Sequence, residues 1–363
     1  MKEEISNLMK WMSGEKTPPL IIELLFGDGC NQNCKFCMCH NGKDRPLGNY
    51  EMKDKLTEHD YLRLTKECAE LGVHSIQLSG EGEPLFDRRK SMAIMKQIKG
   101  FDIYGRLNTN GTLFTEKNIK TLVEIDWDMI IFSIEAPDAE THDYLVSLPR
   151  AFDKVIHNVK RFNYWKKKLK KDKPIMYFKM LLTNKNYKKI VEMVLLSQKL
   201  KVYLRLDSLM VFHNWGESLK LDQKQKVDFK KHLNRAIKLS KNSRRGFEVS
   251  DEILDDIYST KRNCNKLKNF QFPKSKGNKF LSSSCYLPWL KILVGVRGFV
   301  GSCGFSMTED NVKNKSLKDI WFGETYEKLR SDRLNQKLGK FCSTCGDIQY
   351  NSIIRNALNK KVS

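Results

Sequence analysis

Apolar runs of strand length alternate with amphipathic segments over the first 211 residues, and this alternation constrains the fold more than any other feature of the chain. The apolar runs cover residues 20–26, 74–79, 102–109, 128–135, 174–183 and 201–211. The amphipathic segments between them cover residues 57–72, 87–98, 115–124, 151–170 and 185–199. Strands that alternate with helices predict repeated βαβ units and therefore a parallel sheet, whose ligands gather at the carboxyl ends of the strands.

The pattern changes after residue 216, and the sequence predicts a chain of four parts. These are an N-terminal helical extension (1–18), the parallel α/β part (19–216), a basic helical connector (217–280) and a small α+β domain (281–363). In the last part, WLKILVGVRGFVGSCGF predicts a two-stranded β-hairpin. The segment SLKDIWFGETYEKLRSDRL predicts two short helices that are divided at Phe322 and Gly323.

The composition is that of an ordinary globular protein, with 40% apolar and 30% charged residues in a chain of 363. Lys and Arg outnumber Asp and Glu by 65 to 43, a net charge of +22, which favours an anionic partner or reflects lysines on solvated faces. The densest charge run, 160–174, predicts the exposed face of a helix, and we do not expect nucleic acid as a partner. With no apolar run of about 18 residues and no signal peptide, we expect no membrane span and a cytoplasmic location.

Four cysteines, Cys30, Cys34, Cys37 and Cys39, stand within ten positions in the loop after the first strand. Thiols so crowded are metal ligands, disulfide partners, a nucleophile with its neighbours, or a coincidence. Disulfides are rare in the cytoplasm, which disfavours them here. Three thiols at this spacing can bind three irons of a cubane cluster, whereas structural zinc requires four ligands, with Cys39 or His40 as the fourth. The motif by itself favours the cluster.

The segment CNQNCKFC resembles the CX3CX2C signature of radical S-adenosylmethionine (SAM) enzymes, with Phe36 at the aromatic position before the third cysteine. Three further segments at strand ends resemble motifs of the same family. They are SGEGEPLF (79–86), NTNGTLF (108–114) and FSIEAPDAETHDYL (132–145). The resemblance covers about residues 19–211 and implies that the parallel α/β part is a partial (β/α)6 TIM-like barrel.

The resemblance implies a SAM-binding [4Fe-4S] cluster held by Cys30, Cys34 and Cys37, and it leaves Cys39 without a role. The open iron of such a cluster chelates SAM, whose one-electron cleavage gives a 5′-deoxyadenosyl radical. The family pattern assigns SAM binding to Phe36, Glu81, Glu83, Pro84, Asn108, Ser133, Glu135 and Lys179. Of these, Phe36 would lie beside the adenine and Glu83 would hold the methionine ammonium.

A second set of thiols, Cys285, Cys303, Cys342 and Cys345, lies in the C-terminal part. Their spacing alone allows a zinc site or an additional iron–sulfur cluster. The segment from Cys285 through Gly298 to Cys303 resembles the opening of the SPASM extension that follows radical SAM barrels. Because no cysteine follows Cys345, the resemblance implies a shortened, twitch-type domain with one auxiliary [4Fe-4S] cluster and four protein ligands.

Three residues are predicted to act on the substrate: Asp207, His213 and Cys264. The last strand of the barrel would deliver Asp207 and His213 to the barrel mouth, where His213 could serve as a base. Arg205 shares a strand face with Asp207, so an ion pair is the alternative for that carboxylate. Cys264 could donate a hydrogen atom, and an incidental surface thiol is its alternative.

The sequence thus predicts a radical SAM oxidoreductase that abstracts hydrogen from a small polar substrate such as a sugar, a cyclitol or a nucleotide-linked sugar, with an anionic group favoured by the charge. Dehydrogenation with the auxiliary cluster as electron acceptor, or epimerisation, would follow, with a flavodoxin- or ferredoxin-type reductant. Only about 18 residues precede the first strand, which is short for the leader-binding domain of many peptide-modifying members. The alternatives are a peptide or protein maturase, including sulfatase-maturase-like action, and a zinc-containing nucleic-acid-binding protein.

Overall fold

The structure is a computed structural model that describes residues 2–26, 29–37, 54–209, 216–241, 246–258, 279–337, 342, 345 and 348–362. Within them the strands are β1 (Ile21–Phe26), β2 (Ser75–Gly80), β3 (Tyr104–Thr109), β4 (Met129–Ser133), β5 (Ile175–Leu182), β6 (Tyr203–Ser208), β7 (Phe247–Val249), β8 (Lys291–Val294), β9 (Phe299–Gly301) and β10 (Met307–Asn311). The helices are α1 (Lys2–Met12), α2 (Glu58–Leu71), α3 (Arg88–Gly100), α4 (Glu116–Glu124), α5 (Ala139–Val146), α6 (Ala151–Leu169), α7 (Ile190–Lys199), α8 (Gln223–Ser240), α9 (Asp251–Tyr258), α10 (Leu317–Phe322), α11 (Glu324–Leu334) and α12 (Ile348–Val362).

The described strands form one sheet in the order β10-β9-β8-β1-β2-β3-β4-β5-β6-β7. The strands from β8 to β7 in that order pair in parallel, while β9 and β10 are antiparallel. The six parallel strands that the sequence predicted are therefore confirmed, with helices between them as in a TIM-like barrel. The domain boundaries that the sequence suggests stay a prediction.

Two pairings were not predicted, and both extend the barrel sheet. The C-terminal strand β8 adds in parallel to the free edge of β1, with Ile22 opposite Ile292. The short strand β7, from the segment predicted as a helical connector, adds in parallel to β6. The predicted hairpin of β8 and β9 is present, with Leu293 opposite Gly301, and it continues into β10.

Alternate side chains of each barrel strand face opposite sides of the sheet. In β3, Leu107 is fully buried, and a Cβ atom at Gly105 would lie 2.4 Å from the Trp127 ring, so this face packs tightly against other core side chains. The opposite face is more open and lines the inside of the barrel. We call it the lumen face, and its side chains include Tyr104, Arg106, Asn108, Ile131, Ser133, Tyr177, Lys179, Tyr203, Arg205 and Asp207.

A second apolar cluster joins the two ends of the described chain. Ile5 and Leu8 of α1 pack with Ile354 and Leu358 of α12, around the buried Trp289. The N-terminal helix therefore lies on the C-terminal part, a contact between segments more than 270 residues apart that local sequence patterns do not specify.

The buried carboxylate of Asp128 anchors the start of strand β4. Asp128 is 2% exposed, and it accepts a hydrogen bond from the Gly105 N–H at 2.8 Å. Lys99 Nζ and Lys173 Nζ contact its carboxylate at 2.6 and 2.5 Å. Burial alone would raise the pKa of Asp128, but the Lys173 and Lys99 ammonium groups and the Gly105 N–H hold that pKa below its ordinary value.

We expect Asp128→Asn to lower the free energy of unfolding at pH 7 by about 3 kcal/mol, because two ammonium groups lose their buried partner. The pKa of Asp128 is lower in the folded protein, so this stabilisation is fully present above the unfolded pKa and is lost as the pH falls through the folded value. Urea unfolding at a series of acidic pH values measures both the loss of unfolding free energy and its dependence on pH. Asp126→Asn is the matched control: its pair with Lys171 is 43% and 36% exposed, so we expect a loss below about 1 kcal/mol. Equal losses in the two variants would contradict the prediction.

Candidate active site

A cavity of about 410 Å³ opens where β2 to β5 end, as expected for a parallel sheet. It is lined by the three loop cysteines Cys30, Cys34 and Cys37. It is also lined by every residue that the sequence assigned to SAM, namely Phe36, Glu81, Glu83, Pro84, Asn108, Ser133, Glu135 and Lys179. The structure thus brings these residues together, and their individual roles stay predictions.

The cysteine loop is held by backbone hydrogen bonds to helix α5. The Asn33 N–H donates to the Val146 carbonyl at 3.2 Å, and the Lys35 N–H donates to the Leu145 carbonyl at 2.9 Å. Within the loop, the Cys37 N–H donates to the Cys34 carbonyl at 3.0 Å, which turns the chain between these two thiols. The carboxyl end of α5 therefore fixes the path of the loop.

The donor set of this loop fits a cationic cluster. Burial, and then the negative charges of neighbouring groups, raises the pKa of the Cys30 and Cys34 thiols. Three crowded thiolates therefore require compensating positive charge, which the irons of a cluster provide. Among the described residues no three His, Cys, Asp or Glu side chains are placed to hold one metal ion. A cubane does not require such convergence, because each thiolate binds a different iron.

Glu83 connects the ends of β2 and β3 from inside the protein. Its carboxylate is 2% exposed and accepts hydrogen bonds from Thr109 Oγ1 at 2.6 Å and from the Leu85 N–H at 3.0 Å. Its second oxygen accepts from the Asn110 N–H at 2.7 Å. Burial raises the pKa of Glu83, although the Thr109, Asn110 and Leu85 donors act against it. The carboxylate predicted to hold the SAM ammonium thus also holds two loops in place.

Asn108 differs from Glu83, because its amide oxygen has no hydrogen-bond partner among the described residues. Oδ1 is buried and accepts no hydrogen bond, although it belongs to a side chain that lines the cavity. Gln32 Nε2, on the cysteine loop, is also buried without an acceptor. Buried polar atoms are rarely left unpaired, so two such atoms at one cavity are suited to a polar ligand such as SAM. The residues present therefore fit this cofactor.

We expect Asn108→Ala to weaken SAM binding about tenfold with little change in the unfolding temperature, because Oδ1 accepts no hydrogen bond from the part of the chain that the structure describes. Equilibrium dialysis with SAM and thermal unfolding measure the two quantities. Asn110→Ala is the comparison: it removes side-chain hydrogen bonds to Asn31 and to Thr112, so its unfolding temperature should fall. Unchanged SAM affinity in Asn108→Ala would contradict the assignment.

Glu135 is held at the cavity from two sides. Its carboxylate accepts the Leu181 N–H at 2.9 Å, and its own N–H donates to His142 Nδ1 of α5 at 3.0 Å. Burial raises the pKa of Glu135 to about 7. Burial also lowers the pKa of His142 to about 4, so the imidazole is neutral and accepts this bond. Helix α5 therefore links Glu135 to the cysteine loop.

The predicted catalytic Asp207 lies in an ion-pair group on the lumen face. Its carboxylate contacts Arg205 Nε at 2.7 Å and Lys179 Nζ at 3.3 Å. The ion pair considered for Arg205 and Asp207 is present, and Lys179 joins it. A carboxylate that pairs with two cations orients both of those side chains, so the arrangement favours a positioning role for Asp207.

Two other predicted catalytic residues, His213 and Cys264, lie outside the described residues, as does Cys39. The four cysteines of the second set lie within the described residues. The charges of Cys303 and Cys345 act on Cys285, whose pKa burial raises to about 12. The Cys345 N–H donates to the Cys342 carbonyl at 3.3 Å, so the fourth thiol stands on the same turn. These thiols are suited to an iron–sulfur cluster, and their individual ligand roles stay predictions.

Sequence reasoning missed several residues of the cavity, among them Gln32, Ser79, Thr109, Asn110, Val146 and Leu181. Thr109 and Asn110 stand inside the recognised NTNGTLF segment, so their position was a usable signal. Val146 is the last residue of helix α5, which was not predicted because the segment was interpreted only as the end of a strand. None of the described helices is long and apolar enough to cross a membrane.

Comparison with known proteins agrees with this geometry. A model of the radical SAM superfamily matches residues 24–196, and a model of the SPASM iron–sulfur cluster-binding domain matches residues 285–346. The AdoMet-dependent heme synthase of Methanosarcina barkeri is 24% identical over 336 residues, which cover 90% of this chain and 91% of that protein. The PqqA peptide cyclase of Rhizobium meliloti is 22% identical over 337 residues, which cover 90% and 80%.

The crystal structure of Streptococcus suis SuiB bound to precursor peptide SuiA shares the fold, with a TM-score of 0.65 at 17% identity. The alignment covers 96% of this chain and 76% of that one. The shared fold therefore includes the barrel and the C-terminal strands together.

Proposed function

The chain belongs to the radical SAM superfamily and carries a SPASM iron–sulfur cluster-binding domain, and on this premise we propose that it is a maturase that modifies a peptide or a protein segment. It is a radical SAM enzyme with a SAM-binding [4Fe-4S] cluster and auxiliary iron–sulfur binding. When bound, the cluster and SAM supply a 5′-deoxyadenosyl radical that abstracts a hydrogen atom from the substrate.

The residues of this chain provide the environment for that chemistry. Cys30, Cys34 and Cys37 would hold the cluster, and the backbone of α5 fixes their loop. Asn108 offers an unpaired acceptor for SAM, while Glu83 keeps the ends of β2 and β3 at the cavity. These groups would bind and orient the cluster and SAM. The protein must also place the substrate C–H bond beside SAM.

The extent of the similarity carries the peptide part of the proposal. The similarity to PqqA peptide cyclase extends over 337 residues and 90% of the chain. The fold shared with a protein crystallised with its precursor peptide extends over 96% of the chain. The small sugar-like substrate expected from the sequence has no counterpart among these relatives. The matches to the radical SAM superfamily and to an iron–sulfur cluster-binding domain argue against the alternative of a zinc-containing nucleic-acid-binding protein.

A second candidate is the modification of a cofactor. The heme synthase of Methanosarcina barkeri matches this chain over 90% of its length and over 91% of its own. A Pyrococcus furiosus protein named as a modifier of a tungsten enzyme cofactor is 23% identical over 87% of the chain. Experiment has to determine the type of reaction, which is an oxidation, a crosslink or an epimerisation. It also has to identify the protein that supplies the electron.

The test is anaerobic incubation of the reduced, cluster-loaded enzyme with SAM and small peptides or proteins encoded beside its gene, followed by mass spectrometry. We expect 5′-deoxyadenosine as a product. We also expect the mass of the peptide to fall by two mass units if the reaction is an oxidation or a crosslink. In deuterated water, a gain of one deuterium at an inverted carbon would indicate epimerisation. If peptides stay unchanged while a tetrapyrrole or another cofactor precursor is converted, the maturase proposal is wrong and the second candidate replaces it.

A further inference from the structure

The inside of the barrel is open to solvent below the SAM cavity. On β5, Tyr177 and Lys179 are partly exposed, whereas their neighbours Phe178 and Met180 are fully buried. The same alternation on β3 leaves Arg106 partly exposed beside the buried Leu107. The lumen face is therefore accessible while the opposite face is packed.

Most cations on the lumen side have a carboxylate partner. Lys291 of β8 pairs with Glu23, which also accepts from Ser79 Oγ at 2.6 Å. Lys179 and Arg205 share Asp207, and the charges of Glu248 and Glu252 also act on Arg205. These cations are therefore compensated by acidic groups.

Arg106 has no such partner. Its Nε atom is buried without a hydrogen bond, and no described residue forms an ion pair or a hydrogen bond with its guanidinium. A cation in a confined site normally has an acidic or carbonyl partner, since an unpaired buried donor is unfavourable. A guanidinium is also the side chain best suited to bind a carboxylate through two parallel hydrogen bonds.

Two tyrosines, Tyr104 and Tyr177, share the lumen face with Arg106. The positive charge of Arg106 acts on the pKa of both phenols. Burial, and then the negative charges of Asp128 and Glu248 respectively, raises the pKa of these two phenols, so they stay protonated and can donate hydrogen bonds. The Tyr177 ring stacks on Tyr203, with centroids 4.9 Å apart, which fixes its orientation.

We propose that the barrel lumen binds a carboxylate of the substrate, with Arg106 as its anchor and with Tyr104 and Tyr177 as additional donors. This inference rests on the proposed function and narrows it: the modified peptide inserts an acidic side chain into the barrel beneath SAM. Arg106 precedes Asn108 by two residues on the same face, a rise of about 7 Å along the strand. The carboxylate thus lies below the SAM cavity, and the carbon to be attacked lies between them.

The test measures binding without turnover, on unreduced holoenzyme with SAM. The probes are two capped tripeptides, acetyl-Gly-Glu-Gly-amide and acetyl-Gly-Gln-Gly-amide, together with inorganic phosphate, and the method is ligand-observed NMR titration. We expect the glutamate peptide to bind at least tenfold more tightly than the glutamine peptide, and Arg106→Gln to remove this preference. Arg106→Lys keeps the positive charge but loses the two parallel N–H donors of the guanidinium, so we expect an intermediate preference for the glutamate peptide.

Arg89→Gln is the control, because Arg89 is a surface arginine whose side chain is 77% exposed. It should keep the full preference for glutamate, and circular dichroism confirms that each variant is folded. The inference is overturned if the wild type does not distinguish the two peptides, if Arg106→Gln keeps the preference, or if only phosphate binding depends on Arg106. SAM cleavage and peptide modification by the wild type test the proposed function separately, so the two failures are distinguishable.

Discussion

Replacing Cys34 with alanine is expected to abolish SAM cleavage. Cys34 lines the SAM cavity beside Cys30 and Cys37, and a cluster with two remaining thiolates has no stable anchor in the loop. We expect the iron content to fall by about four per chain, since a cubane holds four irons. Anaerobic iron and sulfide analysis, absorbance and the yield of 5′-deoxyadenosine measure the effect.

The matched control for Cys34→Ala is Cys39→Ser, in the same stretch of chain. The sequence assigns Cys39 no ligand role, so this variant should keep its iron content and its SAM cleavage. Colourless wild-type protein that contains zinc would contradict the cluster assignment for both cysteine sets. Loss of iron in Cys39→Ser and not in Cys34→Ala would move the ligand role to Cys39.

Replacing Glu83 with alanine is expected to lower the free energy of unfolding by about 3 kcal/mol and to weaken SAM binding strongly. The substitution leaves Thr109 Oγ1 and the N–H groups of Leu85 and Asn110 without their acceptor in a buried site. Each unsatisfied donor costs about 1–3 kcal/mol, and relief from burying a carboxylate offsets part of the sum. Chemical unfolding and SAM dialysis measure the two effects.

Glu140→Ala is the control for Glu83→Ala, since Glu140 is an exposed carboxylate on α5. Its unfolding free energy should change by less than about 0.5 kcal/mol. Glu83→Gln supplies a further comparison, because its amide can accept from two of the donors but presents its own N–H groups to the third. Wild-type stability in Glu83→Ala would show that the three hydrogen bonds do not hold the loops.

The sequence predicted much of the cavity because the relevant information is local. Each motif follows a strand, and the carboxyl ends of parallel strands meet at one edge, so SGEGEPLF and NTNGTLF had to lie side by side. Cys30, Cys34 and Cys37 are close in the chain, so their convergence needs no long-range contact. Helix α5 was missed because it is short and lies largely inside the motif segment 132–145, although it holds both Glu135 and the cysteine loop.

The sequence by itself determined the alternating strands and helices, the two cysteine sets and the family to which they belong, since these depend on periodicity and on spacing along the chain. The tertiary structure alone decided that β8 extends the barrel sheet beside β1 and that Asp207 is shared by Lys179 and Arg205. It also decided that Arg106 lies on the lumen face with no ion-pair or hydrogen-bond partner among the described residues. Each of these depends on which distant segments become neighbours. The packing of the whole chain decides which segments become neighbours. Donors pair with acceptors, and cations with anions, only when folding has brought the two groups together.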